Sequence, residues 1–258
     1  MNKLSFVASM LMMCLPMTMM AQKNGAKAQD KPDPNFQIYL CFGQSNMEGN
    51  ANIEDIDRTG VNPRFMAMYA VDDEKAGWKK GQWHTAVPPQ ARPDTGLTPV
   101  DYFGRKMVDN LPDSIKVGTI TVAVGGASID LFDKRTCKAY LKKQPDWMKN
   151  FASQYNGNPY ARLIELAKIA QKQGVIKGIL LHQGETNNGD VNWPNRVKTV
   201  YNDILKELHL KAEDVPLLVG ETVQKDQGGI CWKHIAIVDD IAKTIPTAHV
   251  ISSKGCPQ

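Results

Sequence analysis

The sequence predicts an α/β fold, a three-layer α/β/α sandwich around a central parallel sheet of about five strands. Two observations carry this expectation. Short apolar, β-rich runs alternate with longer segments whose apolar residues return every three to four positions. Several of the short runs also stop at glycine turns followed by polar residues, as strands of an open parallel sheet do at the rim where ligands bind. Such alternation argues for βαβ units, whose crossovers cover both faces of the sheet.

The strands are expected near residues 37–42, 117–124, 176–182, 215–220 and 248–252, with a short additional strand within 64–70. Helices are expected over 99–110, 159–173, 193–208 and 230–244. Between the first strand and Pro99 runs a long, less regular segment carrying Trp78, Trp83, His84, Pro88 and Pro89, read as an ordered surface loop. Trp78 and Trp83 are the aromatic side chains there with the area to stack on a sugar, though tryptophans more often bury that area in packing.

With 258 residues, 42% of them apolar and 22% charged, the chain is long enough for one α/β domain and does not require a second. The net charge of +4 is modest and its basic residues are dispersed, which argues against a nucleic-acid partner and leaves small neutral or acidic substrates open.

Residues 1–28 read as a secretory signal peptide with its cleavage region, because Lys3 precedes a methionine-rich apolar run from Leu4 to Met20 and small and polar residues follow. Cleavage after Ala21 and after Ala28 both fit. Ser9, Pro16 and Thr18 interrupt the run, so no stable membrane insertion is expected once the signal is removed, and the product is expected to be secreted or periplasmic. Residues 29–35, polar and charged, read as a disordered tether, and the folded domain as 36–258. Cys41, Cys137, Cys231 and Cys256 remain after export. They permit three full pairings, and their irregular spacing contains no CxxC, which argues against zinc.

Three strand ends carry the chemistry. The first strand stops at Gly43-Gln44-Ser45-Asn46-Met47, where a glycine turn projects the next hydroxyl from the rim, so Ser45 is the candidate nucleophile. The second runs into Gly125-Gly126, a pair that lets backbone N–H groups approach a ligand closely. The third ends in His182-Gln183-Gly184-Glu185-Thr186-Asn187, a polar cluster that is costly at the end of a buried strand unless each group finds a partner.

Together these segments resemble the SGNH hydrolase superfamily, and within it the carbohydrate acetylesterases of the acetylxylan esterase and sialate O-acetylesterase types, over roughly residues 37–253. The Gly-Gln-Ser-Asn-Met and His-Gln-Gly-Glu motifs, about 140 residues apart, carry the likeness. The resemblance implies a flavodoxin-like strand order, with the site at the carboxyl ends of the strands. It implies that Ser45 attacks an acetyl carbonyl to form an acyl-enzyme. Its own N–H, that of Gly126 (with Gly125 as the alternative) and the Gln183 side-chain amide would form the oxyanion hole, and Glu185 matches the family's acid. Gln44, Asn46 and Asn187 are the expected substrate contacts. No cofactor or metal is called for, and the expected partner is an acetylated oligo- or polysaccharide.

In one place the chain departs from the family. The family's catalytic histidine lies in an Asp-x-x-His loop after the last strand, and no such segment follows residues 248–253 here. The expectation is therefore a C-terminally shortened esterase that keeps its nucleophile, lacks its base and turns over poorly, since a serine hydroxyl without a base is a weak nucleophile. His84, His209, His234 and His249 lack the motif context of a substitute. A carbohydrate-binding module that retains the hydrolase fold without its chemistry is the alternative. A flavodoxin-like phosphate binder is disfavoured, because neither GxGxxG nor GxxxxGK[ST] occurs at the strand ends and Glu185 would repel a phosphate beside Ser45.

Overall fold

Strand β1 (Phe36–Gly43) alternates its side chains between two cores: Ile38, Leu40 and Phe42 enter one, and Tyr39 and Cys41 the other. A strand with apolar residues on both faces needs cover on both faces, and that requirement places β1 at the centre of the sheet. The computed structural model describes residues 31–256. The signal region expected over 1–28 lies outside these residues. The end of the expected tether is tied to the body, since Asp33 N–H donates to Gln173 O at 3.0 Å and Lys116 N–H to Asn35 O at 2.8 Å.

The central sheet has seven strands, against about five expected. In addition to β1 these are β2 (Phe65–Met68), β3 (Trp83–Thr85), β4 (Lys116–Ala123), β5 (Val175–His182), β6 (Leu217–Gly220) and β7 (Ala248–Ile251), in the order β3-β2-β4-β1-β5-β6-β7. All neighbours pair in parallel except β2 and β3. The two extra strands come from the segment read as a loop with one short strand. Of these, β2 falls within 64–70, where the short strand is expected, while β3, three residues long, is below what periodicity can separate from a turn.

Helix α3 (Pro99–Asn110) covers one face, with Val100 and Val108 in the same core as Tyr39 and Cys41. Its start is set by a capping box between Thr98 and Asp101 with Pro99 in the first turn. Helices α6 (Pro159–Ala170), capped by Asn158, and α7 (Trp193–Glu207) pack their apolar stripes on the other face. The single helix expected over 230–244 is broken into a 3₁₀ turn and the short helices α8 (Ile235–Asp239) and α9 (Ile241–Thr244). Short helices were not anticipated between β4 and α6, where α4 (Cys137–Lys142) and α5 (Asp146–Ser153) lie, nor after β1, where α1 (Ser45–Glu48) and α2 (Asp55–Arg58) lie. Among the described residues no helix is long and apolar enough to cross a membrane. Cys41, Cys137, Cys231 and Cys256 are all unpaired, so none of the three pairings is formed.

Trp78 and Trp83 do not serve as free platforms. Trp78 stacks on His84, with ring centroids 3.8 Å apart, and Trp83 packs edge-on against Phe36 at the amino end of β1.

Candidate active site

The parallel register places Gly43 beside both Ala123 and His182, so the turns that follow β1, β4 and β5 emerge at one rim of the sheet. Gly43 is required there: a Cβ at that position would collide with the backbone carbonyl of His182. The close approach is fixed by hydrogen bonds from Gln44 N–H to His182 O at 3.0 Å and from Val124 N–H to Gly43 O at 3.1 Å.

A buried amide network joins the three turns. Gln44 is 3% exposed, and its Oε1 accepts from Gln183 Nε2 at 3.1 Å, Thr186 N–H at 3.2 Å and Gly184 N–H at 3.4 Å. Gln183 has no exposed surface; its Nε2 also approaches Ala127 O at 3.2 Å and Asn187 Oδ1 at 2.8 Å, while its Oε1 accepts from Trp193 Nε1 at 2.5 Å. Asn187 Oδ1 in turn accepts from Ile129 N–H at 3.0 Å. The structure therefore turns the Gln183 amide toward the neighbouring loops rather than toward a substrate, and Asn187 Oδ1 likewise. Gln44 Oε1 is taken up in the same network, while its Nε2 makes no hydrogen bond among the described residues. Such pairing is how buried amides at a strand end meet their hydrogen-bonding requirement.

Ser45, Asn46 and Glu185 stand in the open. They line a cavity of about 320 Å³ together with Val223, Gly228, Gly229, Ile230 and Cys231. Asn46 Nδ2 donates to Glu185 Oε1 at 2.9 Å, and His182 Nδ1 lies 3.7 Å from the same oxygen, beyond hydrogen-bond reach. Among the described residues the backbone N–H groups of Ser45 and Gly126 have no hydrogen-bond partner. Gly126 adopts φ +70°, and Thr186 Oγ1 donates to its carbonyl at 3.0 Å.

No histidine among the described residues bonds the Ser45 hydroxyl. His84 is stacked on Trp78 with Nδ1 at 2.8 Å from Thr85 O, and His249 is exposed on β7. His209 follows α7 with φ +55°. His234 is fully buried beneath Gly184 and edge-on to Trp193, with neither ring nitrogen partnered. Burial holds its imidazole below the ordinary histidine value, against the opposing pull of Glu185 and Asp190.

Several residues of this region escaped the sequence reading. Glu48, three positions after Ser45 on α1, forms a buried ion pair with Arg92 at 2.6 Å, and the Arg92 guanidinium lies 4.1 Å from the centre of the Phe151 ring. Their spacing of 44 residues through an irregular segment carries no periodic signal. Of the cavity wall at 228–231, Ile230 and Cys231 fall where a continuous helix is expected over 230–244. Trp147, beside Gly126, lies on a short helix that was not anticipated.

Comparison with known proteins agrees with the fold. The structure is similar to a protein from Arabidopsis thaliana, with a TM-score of 0.62 at 19% identity over 88% of each chain. It is similar to a carbohydrate acetylesterase from Xanthomonas citri, with a TM-score of 0.57 at 20% identity over 86% of this chain and 51% of that one. It is also similar to NanS, with a TM-score of 0.58 at 16% identity over 88% of this chain and 80% of that one. At these identities the likeness establishes the fold. The family model for carbohydrate esterases described as sialic acid-specific acetylesterases matches residues 35–258, nearly the whole domain, and the chain belongs to that family.

Proposed function

We propose that this protein is a serine esterase that removes O-acetyl groups from carbohydrate, acetylated xylan or a related acetylated sugar, through an acyl-enzyme on Ser45. The observation that carries this reading is the placement of Ser45 in the wall of a cavity of about 320 Å³, with its own N–H and that of Gly126 unpaired among the described residues. The Ser45 oxygen attacks the acetyl carbonyl carbon, and the negative charge that develops on the carbonyl oxygen is met by these two N–H groups. The proton that Ser45 gives up passes to the sugar oxygen as collapse expels it as a hydroxyl, and water then adds to the acyl carbonyl, returning a proton to Ser45 Oγ and releasing acetate. One preorganised donor of this kind is typically worth about 2.7–4 kcal/mol. Glu185 orients Asn46, and through it the turn that carries the nucleophile. A role for the enzyme outside the cytoplasm, on polymers too large to enter a cell, goes with this reading.

Because no histidine among the described residues bonds the Ser45 hydroxyl, we further propose that these 258 residues hydrolyse esters slowly and that an Asp-x-x-His segment placed after Ser253 raises the rate. The same observation favours a second reading, a carbohydrate-binding module that keeps the fold without the chemistry. Ser45→Ala separates the two. It abolishes acetate release from acetylated xylan in an esterase and leaves sugar binding intact in a binding module. Hydrolysis that survives Ser45→Ala would sink the serine mechanism.

A further inference from the structure

We propose that Trp147 is the platform on which the pyranose ring of the acetylated sugar stacks, and so the residue that makes a sugar ester a better substrate than a simple acetate; this rests on the esterase reading above. Trp147 is 48% exposed, and it is the one tryptophan among the exposed large apolar side chains. The other four are engaged: Trp193 is fully buried, Trp78 lies on His84, Trp83 meets Phe36, and Trp232 sits between the ammonium groups of Lys225 and Lys233, 4.9 and 5.7 Å from its ring.

The position of Trp147 gives its exposure a meaning. A Cβ built on Gly126 would lie 2.9 Å from Trp147 Cη2, so the six-membered edge of the indole borders the glycine whose N–H faces the reacting oxygen. Gly126 itself is bound to the Ser45 loop, because Thr186 reaches its carbonyl with Oγ1 and Gln44 Oε1 with N–H. An acetyl group held at Gly126 N–H thus brings its sugar ring alongside the indole. The indole cannot sink further, since Gly126 blocks one edge and Phe151 packs against it with ring centroids 5.8 Å apart. Phe151 is in turn covered by the Arg92 guanidinium that pairs with Glu48, so the platform and the nucleophile's turn share one support. A rigid aromatic surface left open beside a glycine turn with an unpaired N–H is a suitable form of site for a ring with one apolar face.

The test compares kcat/KM for fully acetylated xylobiose and for methyl acetate, which has no ring, in the parent, Trp147→Leu and Trp147→Phe proteins. Trp147→Leu keeps an apolar side chain against Gly126 without an aromatic face. The expected result is a fall of roughly tenfold in the ratio of sugar ester to methyl acetate, carried by KM, with most of the ratio restored in Trp147→Phe. An unchanged ratio, whether both rates fall together or neither does, overturns the proposal. If the parent hydrolyses neither ester, the esterase reading fails and the platform is decided by calorimetric binding of acetylated xylobiose to Ser45→Ala protein. Weaker binding on adding Trp147→Leu supports the platform, and equal or absent binding overturns it.

Discussion

Asn46 and Glu185 stand 139 residues apart in the chain, and an amide-to-carboxylate hydrogen bond of 2.9 Å joins them at the mouth of the Ser45 cavity. The bond ties the first residue after the nucleophile to the strand end two positions away in the sheet order from β4. Glu185 Oε2 has no partner, so this single contact carries the coupling. Glu185→Ala is expected to lower kcat for ester hydrolysis by roughly ten- to a hundredfold with little change in stability. Asn46→Ala is expected to do less. In a double-mutant cycle the two effects should be less than additive, and full additivity would mean that the bond does not position Ser45.

The buried amides behind the site should show the opposite pattern, a large effect on folding. Gln183→Leu leaves Trp193 Nε1 without an acceptor and removes a donor from Gln44 and Asn187. Each buried group left unpaired costs about 1–3 kcal/mol, so a loss of roughly 2–4 kcal/mol is expected in denaturant unfolding. Ser45→Ala, at a partly exposed hydroxyl that bonds nothing, should stay within about 0.5 kcal/mol of the parent. A Gln183→Leu protein as stable as its parent would show that the network does not hold the loops.

The contrast between these two groups explains what the sequence could reveal. The central strands were legible because β1, β4 and β5 bury both faces and run into glycine turns, and at Gly43 the His182 carbonyl lies too close for a Cβ. The placement of Ser45, Gly126 and Glu185 at one rim was legible for the same reason, since they follow those ends. The bonds of Gln44 Oε1, Gln183 and Asn187 to neighbouring loops were not legible, because a polar residue at a strand rim looks alike whether it faces solvent or a neighbouring loop. Only the fold decides that Thr186 and Gly184 turn their N–H groups onto Gln44. Strand β3 was lost for another reason, because three residues do not establish a period. Arg92 was lost because its partner, Glu48, is reached through an irregular loop and no local pattern pairs them.

That Arg92–Glu48 pair is nearly dry, with side-chain exposures of 6% and 8%, and it braces α1 against the Gly125 turn, where a Cβ would meet Glu48 Oε2 at 2.8 Å. Arg92→Met abandons a buried carboxylate and is expected to cost about 3–5 kcal/mol. Adding Glu48→Gln removes the stranded charge, so the double variant should recover part of that loss. Activity should not recover with it, because the turn that presents Ser45 has lost its brace. Thermal unfolding and acetate release, measured on the single and double variants, separate the two effects. A double variant less stable than Arg92→Met alone would contradict the argument.

Two buried ionisable groups should give the stability of the protein opposing dependences on pH. Burial pushes the Asp101 carboxyl up from 3.8 to about 6, against hydrogen bonds from Thr98 N–H and Gln90 that favour its charged form. The folded state therefore keeps that proton to a higher pH than the unfolded chain does, and the stability it contributes is complete below about pH 3.8 and lost as the pH rises to about 6. His234 works in the other sense. Its folded value lies below the ordinary 6.5, so the unfolded chain takes up the proton first, and stability is lost as the pH falls from about 6.5. Below about pH 6, where Asp101 and His234 both titrate, the two slopes partly cancel in the parent. Asp101→Asn should leave the histidine slope exposed, so that the melting temperature rises with pH more steeply than in the parent, while His234→Leu should shift the slope toward falling with pH. Melting curves taken at half-unit intervals decide the matter, and a shift of the same sign in both variants would show that at least one of these groups is not titrating as its burial requires.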